Sequence, residues 1–375
     1  MDDVAKARDV VARRSSGTLD FFALRSDKQH FFDRDSVIAY AIRSGGCLVS
    51  PDPIGPPEER ARLWATFRRF ADEHGWAIAV LAAGQEWLPI YRSSGMRDIY
   101  IGDEGVVDVR TLSLQGGAKK GLRQAVNRIA KYGYTITFHD PADVGENLAE
   151  ALRGVMTQSR RGGVERGFSM TLGRIFDPLD AGLLLAVASG PDGKPVAFCQ
   201  FVPAPGIGGY SLDLMRRDNG EHPNGLFDFI LVRTIEHLKD EGYCRLGLNF
   251  AMMRAVLAGE AGDGMSRKVE RWFLRRMSDT MQIESLWRFN AKFDPEWLPR
   301  YVVWDSAEQS LAAALAIAKA ESFWELPIIG RFLVPDADDA GDEAPVGVAP
   351  ENGAAVAVAG APSQASDDAL GLSKS

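Results

Sequence analysis

The sequence predicts an α/β (α+β) protein built from two successive subdomains, each with a mixed sheet flanked by helices. The first observation is the stretch Gly209–Ala251, whose pattern indicates a strand, a polar loop, a helix and a second strand. Apolar residues alternate over Tyr210–Met215, as in a half-buried strand, and recur at helical spacing from Phe227 to Leu238. The second observation is a similar alternation of strands and helices in the first half of the chain, which is typical of layered α/β domains.

The first subdomain is predicted to span residues 1–139. Its elements, in chain order, are a helix over 2–14, strands over Ser36–Ile42 and Cys47–Ser50, a helix over Glu58–Glu73, strands over Trp76–Leu81 and Gly102–Val109, and a helix over Gly116–Tyr132. The last helix is basic and carries no acid, which suits phosphate binding; a solvated outer face is the alternative. Its basic residues, expected to lie off the apolar face, are Lys119, Lys120, Arg123, Arg128 and Lys131.

A second subdomain, carrying the active site, is predicted to begin near Asp140-Pro141 and to span residues 140–334. Its elements are a helix over Glu146–Gln158, strands over Leu183–Ala188 and Val196–Val202, the stretch Gly209–Ala251, and a closing strand over Val302–Trp304 after a turn at Pro295–Trp297. The apolar segment Phe323–Val334 is expected to cover the core or to dock on a bilayer, since it is too short to span one. Residues 335–375 are acidic and aperiodic, so we expect a disordered tail.

Composition excludes several classes of protein. The 3 cysteines and 5 histidines are scattered without ligand spacing, so neither a metal site nor a disulfide framework is expected. No apolar run reaches the length of a spanning helix, and the N-terminus lacks the core of a signal peptide, so we expect a cytoplasmic protein, peripheral at the inner face of the membrane. Most of the net charge of −8 lies in the acidic tail, which leaves a near-neutral body that can carry basic patches.

Several motifs resemble those of one family. SLDLMRR at 211–217, PNGLFDF at 223–229 and RLGLNFA at 245–251 look like the C-terminal transferase domain of the phosphatidylglycerol lysyltransferases, also called lysyl-phosphatidylglycerol synthases or multiple peptide resistance factor. QIESLWRFNAKFDPEWLPRY at 282–301 is similar to the family's closing motif, especially in its actinobacterial branch. DPIGP at 52–56 and ERGFSMTLGR at 165–174 are weaker matches, and together the motifs cover most of residues 1–305.

The resemblance implies two tandem acetyltransferase-like (GNAT) subdomains that transfer an aminoacyl group from aminoacyl-tRNA to a phospholipid hydroxyl, commonly that of phosphatidylglycerol. Because the donor is an activated ester, no metal, cofactor or covalent nucleophile is needed. The enzyme must position two polyanions, neutralise charge on the reacting carbonyl and bind a free α-ammonium group. Family members usually also carry a flippase region or a fused lysyl-tRNA synthetase, and this chain shows neither. It is therefore expected to act alone at the membrane surface or on a soluble acceptor.

The resemblance also assigns candidate site residues. Asp213 and Arg216 match the family's Asp-x-x-Arg, and Lys292 matches the lysine of its closing motif. We interpret Asp213 as a contact for the substrate ammonium and the two cations as contacts for phosphate or the oxyanion, all around one pocket. Asp213 points away from the apolar residues of its strand and so need not belong to the core; a solvated charge pair at a strand end is the alternative. Where many relatives have a second lysine and a basic residue, this chain has Asn290 and Asp294. The candidate substrate-binding residues are Glu270, Arg300, Lys119, Lys120 and Arg123.

Two other functions stay open. An acyl-CoA-dependent N-acetyltransferase would need an Arg/Gln-x-x-Gly-x-Gly loop between a strand and a helix, where backbone N–H groups hold the pyrophosphate. Neither the Gly-rich segment at 160–163 nor that at 206–209 has this context. The second alternative is a non-catalytic binding module on the same fold, against which the retained Asp213, Arg216 and Lys292 argue.

Overall fold

The computed structural model describes residues 2–43, 45–160, 169–177, 180–252, 254 and 287–305. The chain divides into a unit of Met1–Val334 and a unit of Pro335–Ser375. All of the second unit, the basic segment around Glu270 and the apolar segment Phe323–Val334 lie outside the described residues. The predictions made for those three parts of the chain therefore stay predictions.

Eleven strands and six α-helices are named in the described residues. The strands are β1 (Gln29–Asp33), β2 (Ser36–Arg43), β3 (Gly46–Val49), β4 (Ala77–Gly84), β5 (Arg97–Asp108), β6 (Thr135–His139), β7 (Leu184–Ser189), β8 (Pro195–Ala204), β9 (Gly209–Arg217), β10 (Arg245–Met252) and β11 (Glu296–Trp304). The helices are α1 (Asp3–Arg14), α2 (Arg60–Glu73), α3 (Leu88–Ser93), α4 (Lys120–Lys131), α5 (Glu146–Arg160) and α6 (Leu226–Asp240).

All of these strands form one mixed sheet in the order β1-β2-β3-β4-β11-β5-β10-β9-β8-β7-β6. Two neighbouring pairs are parallel, β3 with β4 and β9 with β10, and each is connected through a helix, α2 or α6. The other pairs are antiparallel. Strand–helix–strand units with parallel strands thus occur in both halves, and the predicted α/β fold class is confirmed.

The last strand, β11, does not pair with β10, the strand that precedes it in sequence. β11 inserts between β4 and β5, pairing with β5 from Glu296 opposite Val106 to Trp304 opposite Arg97. The predicted turn at Pro295–Trp297 is wrong, because Glu296 and Trp297 already belong to β11. The sequence predicts a subdomain boundary between residues 139 and 140, but strands from both sides of that point belong to the same sheet. β6, which ends at His139, pairs with β7. The division into two subdomains stays a prediction.

Opposite faces of β8 pack against different helices. Ala197 and Cys199 belong to a core cluster that includes residues of α4 and α6. Phe198, between them, packs in a second cluster with the apolar face of α5. Since successive strand residues point to opposite faces, α5 lies on one side of this part of the sheet and α4 and α6 lie on the other.

Candidate active site

A β-bulge in β9 sets the direction of Asp213. In the β8–β9 pair, Gln200 lies opposite Leu214 and Phe201 lies opposite Leu212, which leaves Asp213 as the extra residue. Such a bulge re-aims a side chain and is over-represented beside active sites.

Asp213 is a buried carboxylate, with 7% of its surface exposed. One carboxylate oxygen accepts a hydrogen bond from the backbone N–H of Leu172 at 2.8 Å, and the other accepts one from Nε2 of Gln200 at 2.7 Å. The sequence pattern does not require Asp213 to belong to the core, but the bulge turns it inward, toward Gln200 and the 172–174 backbone, where it is buried. A carboxylate offers about four acceptor positions, and these two hydrogen bonds fix the direction in which this one points.

Arg216 lies on the same strand, on the α5 side of the sheet. It is half-buried and stands opposite Phe198, whose ring packs in the cluster formed with α5. Its Nη1 donates to the carbonyl of Met215 at 2.8 Å. Asp213 thus lies in the middle of β9, and Arg216 lies three residues further on, near the C-terminal end of the same strand.

Lys292 is bonded to α6, which lies on the side of the sheet opposite to α5. Its Nζ donates to both carboxylate oxygens of Asp228, at 2.8 and 2.9 Å, and Asp228 is a buried residue in the first turn of α6. Its backbone carbonyl accepts a bond from Nζ of Lys119 at 2.6 Å. The hydrogen bonds described for Lys292 go to Asp228 and Lys119, on the α6 side of the sheet, and the convergence of Lys292 with Asp213 and Arg216 on one pocket stays a prediction.

Two of the basic residues predicted to lie off the apolar face of α4 and to bind substrate instead hold the N-terminal end of this helix. Lys119 is only 8% exposed and pairs with Asp294 at 2.6 Å, besides its bond to the carbonyl of Lys292. Arg123 donates to the carbonyls of Leu114 and Gly116. Of the three residues predicted to bind substrate on this helix, Lys120 is exposed, Arg123 is half-buried and Lys119 is buried. Lys119 lies off the apolar face and is nevertheless buried, because the chain before β11 folds over it.

A cavity of about 440 Å³ lies beside Lys292, at the N-terminus of α6. Its lining includes Arg128 of α4, Asn224 and Gly225 just before α6, and the Lys292–Asp228 pair. A helix N-terminus with two cations nearby favours an anionic group, and Asp228 offsets part of that positive charge.

Arg300 does not present its charge to a ligand. It is 8% exposed, and its Nε and Nη2 donate to one oxygen of Glu104, while Nη2 also donates to Oγ1 of Thr18 at 2.8 Å. Glu104 is itself buried. The expectation that Arg300 binds phosphate is not supported by this geometry, because its guanidinium is neutralised inside the protein by Glu104.

Two further acids lie near Arg300 in the first half. Asp52 accepts hydrogen bonds from the hydroxyl of Tyr91 and the N–H of Gly84, both at 2.6 Å, and Asp20 accepts from two backbone N–H groups. Burial raises the pKa of Asp52 to about 7, although these hydrogen bonds oppose the shift, and burial also raises the pKa of Asp20. Both acids and Arg300 line a cavity of about 20 Å³, which has room for about one water molecule.

The raised pKa of Asp52 predicts how stability depends on pH. The folded protein binds a proton at Asp52 up to pH of about 7, whereas an unfolded aspartate loses it near pH 3.9. The free energy of unfolding should therefore fall as pH rises between about 4 and 7, by about 1.4 kcal/mol per unit of pKa difference. Asp52→Asn should flatten this fall in urea unfolding measured across that range. Asp72→Asn, at an exposed position, should leave the wild-type slope, and parallel curves for wild type and Asp52→Asn would contradict the prediction.

Sequence reasoning missed several buried polar residues around these sites. Gln200 interrupts the apolar run VAFCQFV, and Glu104 lies in the strand GDEGVV; a lone polar residue inside an apolar strand was the available signal. Asp228 lies inside the PNGLFDF motif but was given no role. Glu270, the other acid predicted to bind substrate, lies outside the described residues.

Two features are absent from the described residues. No group of three or more His, Cys, Asp or Glu side chains in that part of the chain could hold a metal ion. No helix in it is long and apolar enough to cross a bilayer.

Comparison with known proteins places the chain in a family. The family model for phosphatidylglycerol lysyltransferase, C-terminal, matches residues 8–304. The chain belongs to this family. Among its relatives, the lysylphosphatidylglycerol biosynthesis bifunctional protein LysX of Nocardia farcinica is 36% identical over 324 residues, which cover 85% of this chain and 28% of LysX. The protein of the same name from Mycobacterium tuberculosis H37Rv is 33% identical over 321 residues, covering 84% and 27%. The chain thus spans less than a third of the length of these relatives.

Solved structures of the lysyltransferase family share the fold. L-PGS from Bacillus licheniformis superposes with a TM-score of 0.71 at 23% identity, covering 87% of this chain and 96% of that one. The C-terminal domain of a putative lysylphosphatidylglycerol synthetase from Agrobacterium fabrum gives a TM-score of 0.69 at 25% identity, covering 86% and 96%. FemX has the same overall fold, with a TM-score of 0.53 at 9% identity, covering 84% and 98%.

Proposed function

We propose that the protein is an aminoacyltransferase that moves an aminoacyl group from aminoacyl-tRNA to the hydroxyl of a phospholipid such as phosphatidylglycerol, at the cytoplasmic surface of the membrane. The observation that carries this proposal is the match of residues 8–304 to the lysyltransferase family, at 36% identity to a relative named for lysylphosphatidylglycerol biosynthesis. The buried carboxylate of Asp213 and the cavity beside Lys292 and Arg128 support it, because they suit an ammonium group and a phosphate.

The proposed reaction is an ester exchange. The acceptor hydroxyl oxygen bonds to the carbonyl carbon of the aminoacyl ester, the bond from that carbon to the tRNA ribose oxygen breaks, and the hydroxyl proton ends on the ribose oxygen. In this proposal Asp213 binds the α-ammonium group and Arg216 stabilises negative charge on the reacting carbonyl oxygen. Lys292 is proposed to contact a phosphate, with Asp228 holding its side chain in place. Glu270 stays a proposed substrate contact.

The experiment that tests this function uses purified protein, tRNA charged with a radiolabelled amino acid, and phosphatidylglycerol vesicles. Label should move into the lipid fraction and should fail to do so after RNase treatment. Phosphatidylcholine vesicles, which lack the glycerol head group, are the matched control. Product that forms after RNase treatment and requires acetyl-CoA would instead favour the N-acetyltransferase alternative.

The exposed face of α4 is proposed to bind the tRNA backbone. Lys120, Arg128 and Lys131 are exposed there, and Tyr132 at the end of the helix is an exposed aromatic residue that could stack on a base. This set replaces the one predicted from sequence, because Lys119 is buried and Arg123 is half-buried, whereas Arg128 is exposed although it donates to the carbonyl of Asn224.

Changing Lys120, Arg128 and Lys131 together to Gln should weaken tRNA binding and reduce its salt dependence. Each phosphate contact that is lost lowers the slope of log K against log salt by about 0.7–0.9. The matched control changes three exposed cations elsewhere, Arg69, Arg97 and Lys194, to Gln. Filter-binding titrations at several salt concentrations measure both. Equal slopes for the two triple variants would show that the α4 face is only solvated.

A further inference from the structure

Gln200 is a completely buried polar residue in the middle of β8, with 0% of its surface exposed. Its neighbours along the strand, Cys199 and Phe201, belong to the apolar core. A buried amide destabilises a protein unless its polar atoms are hydrogen-bonded. Its presence at this position therefore needs a physical reason.

The nitrogen of the amide, Nε2, is hydrogen-bonded. It donates to a carboxylate oxygen of Asp213 at 2.7 Å and to the backbone carbonyl of Arg174 at 3.1 Å. Both partners are acceptors, so the amide cannot be rotated by half a turn without placing oxygen against oxygen. The positions of nitrogen and oxygen in this amide are thus fixed by its surroundings.

The oxygen of the amide, Oε1, is not explained by these contacts. Oε1 of Gln200 is buried and has no hydrogen-bond partner in the part of the chain that the structure describes. An unsatisfied buried acceptor costs about 1–3 kcal/mol. A residue that only clamped Asp213 and the 172–174 backbone would need the N–H donors alone. The oxygen is thus an acceptor for which the described residues supply no donor.

The chemistry next to Oε1 indicates which donor fits. The carboxylate of Asp213 contacts the nitrogen of the same planar amide, so a negative group and a neutral acceptor lie side by side. A primary ammonium group carries three N–H donors and one positive charge, so it suits a neutral acceptor that lies close to a carboxylate. A hydroxyl has a single proton to donate and could bond to one of the two acceptors at a time.

We propose that Gln200 positions the carboxylate of Asp213 through Nε2 and that its Oε1 accepts a hydrogen bond from the α-ammonium group of the aminoacyl donor. This inference rests on the proposed function and adds a specificity-determining residue to it. Gln200 makes the site selective for a free amino group over an acylated one, because an acetamide has one N–H donor and no charge.

The test compares two probes that differ only at the α-nitrogen, L-lysinamide and Nα-acetyl-L-lysinamide, by calorimetric titration of the full chain. Wild type should bind the free amine at least 10-fold more tightly, since a hydrogen bond to a charged group contributes about 1.5–3 kcal/mol. Gln200→Met keeps the length of the side chain and removes both polar atoms, so it should lose most of that preference. The matched control is Ser211→Ala on β9, which removes another buried, unpartnered polar atom and should keep the preference.

The outcomes separate this inference from the proposed function. Equal affinity of wild type for the two probes overturns the inference without requiring any variant to fold. A retained preference in Gln200→Met, with a melting curve like that of wild type, overturns it as well. If wild type and variant behave as expected and no aminoacyl lipid forms in the transfer assay, the proposed function fails while the ammonium site stands.

Discussion

Replacing Asp213 by Asn should lower turnover by about 100- to 1000-fold, the typical effect of removing a group that stabilises charge in a reaction. Asn keeps the size of the side chain and can still accept a bond from the N–H of Leu172, so the local backbone has a partner. What is lost is the negative charge proposed to bind the substrate ammonium, together with the oxygen that accepts a hydrogen bond from Nε2 of Gln200. Steady-state transfer from aminoacyl-tRNA to phosphatidylglycerol vesicles measures the effect.

The control for this variant is Asp108→Asn, at a half-buried aspartate of β5 that pairs with Arg110. It should retain nearly wild-type turnover. Melting temperatures of both variants show whether each is folded. A variant at Asp213 that melts early yet retains full turnover in its folded fraction would identify the carboxylate as a structural clamp for the 172–174 backbone and remove it from the reaction.

Replacing Arg300 by Met should lower the free energy of unfolding by about 3–5 kcal/mol, because it leaves the carboxylate of Glu104 buried without its cation. Arg92→Ala is the matched control. Its ion pair with Asp98 lies at the surface, where such pairs contribute about 0–1 kcal/mol. Urea unfolding curves measure both changes.

A double variant distinguishes the two roles considered for Arg300. Changing Glu104 to Gln together with Arg300 to Met removes both charges and should recover part of the lost stability. If Arg300→Met instead keeps wild-type stability and loses transfer activity, Arg300 is the phosphate contact that the sequence predicts, and the buried pair has little structural weight.

Local patterns predicted much of the fold. The stretch Gly209–Ala251 was predicted as strand, loop, helix and strand, and it forms β9, α6 and β10. Alternating and helical periodicities work here because each element buries one face against a single neighbouring layer. The helix predicted over Glu58–Glu73 is likewise confirmed by α2 and the short 3-10 turn before it.

What the sequence did not predict depends on contacts between distant residues. Edge strand β6 alternates threonine with apolar residues over only five positions, and it becomes recognisable through its pairing with β7. The start of β11 contains Glu296, Pro299 and Arg300. Charged residues and proline are uncommon in a central strand, so the sequence pattern does not indicate one here. The burial of Asp213 follows from a bulge whose register depends on β8. Each of these features is set by a partner strand far away in the sequence.

The insertion of β11 between β4 and β5 has a consequence for the chain as it leaves the ribosome. β5 is complete at Asp108, whereas β11 begins at Glu296, and at about 5–20 residues per second the interval between them lasts roughly 10 to 40 s. Throughout that interval β4 and β5 have no strand between them, and their facing edges carry unpaired N–H and C=O groups that can pair with other chains. The nascent protein therefore depends on protection of two open edges, and the first half of its sheet closes only when nearly all of the described residues have been synthesised.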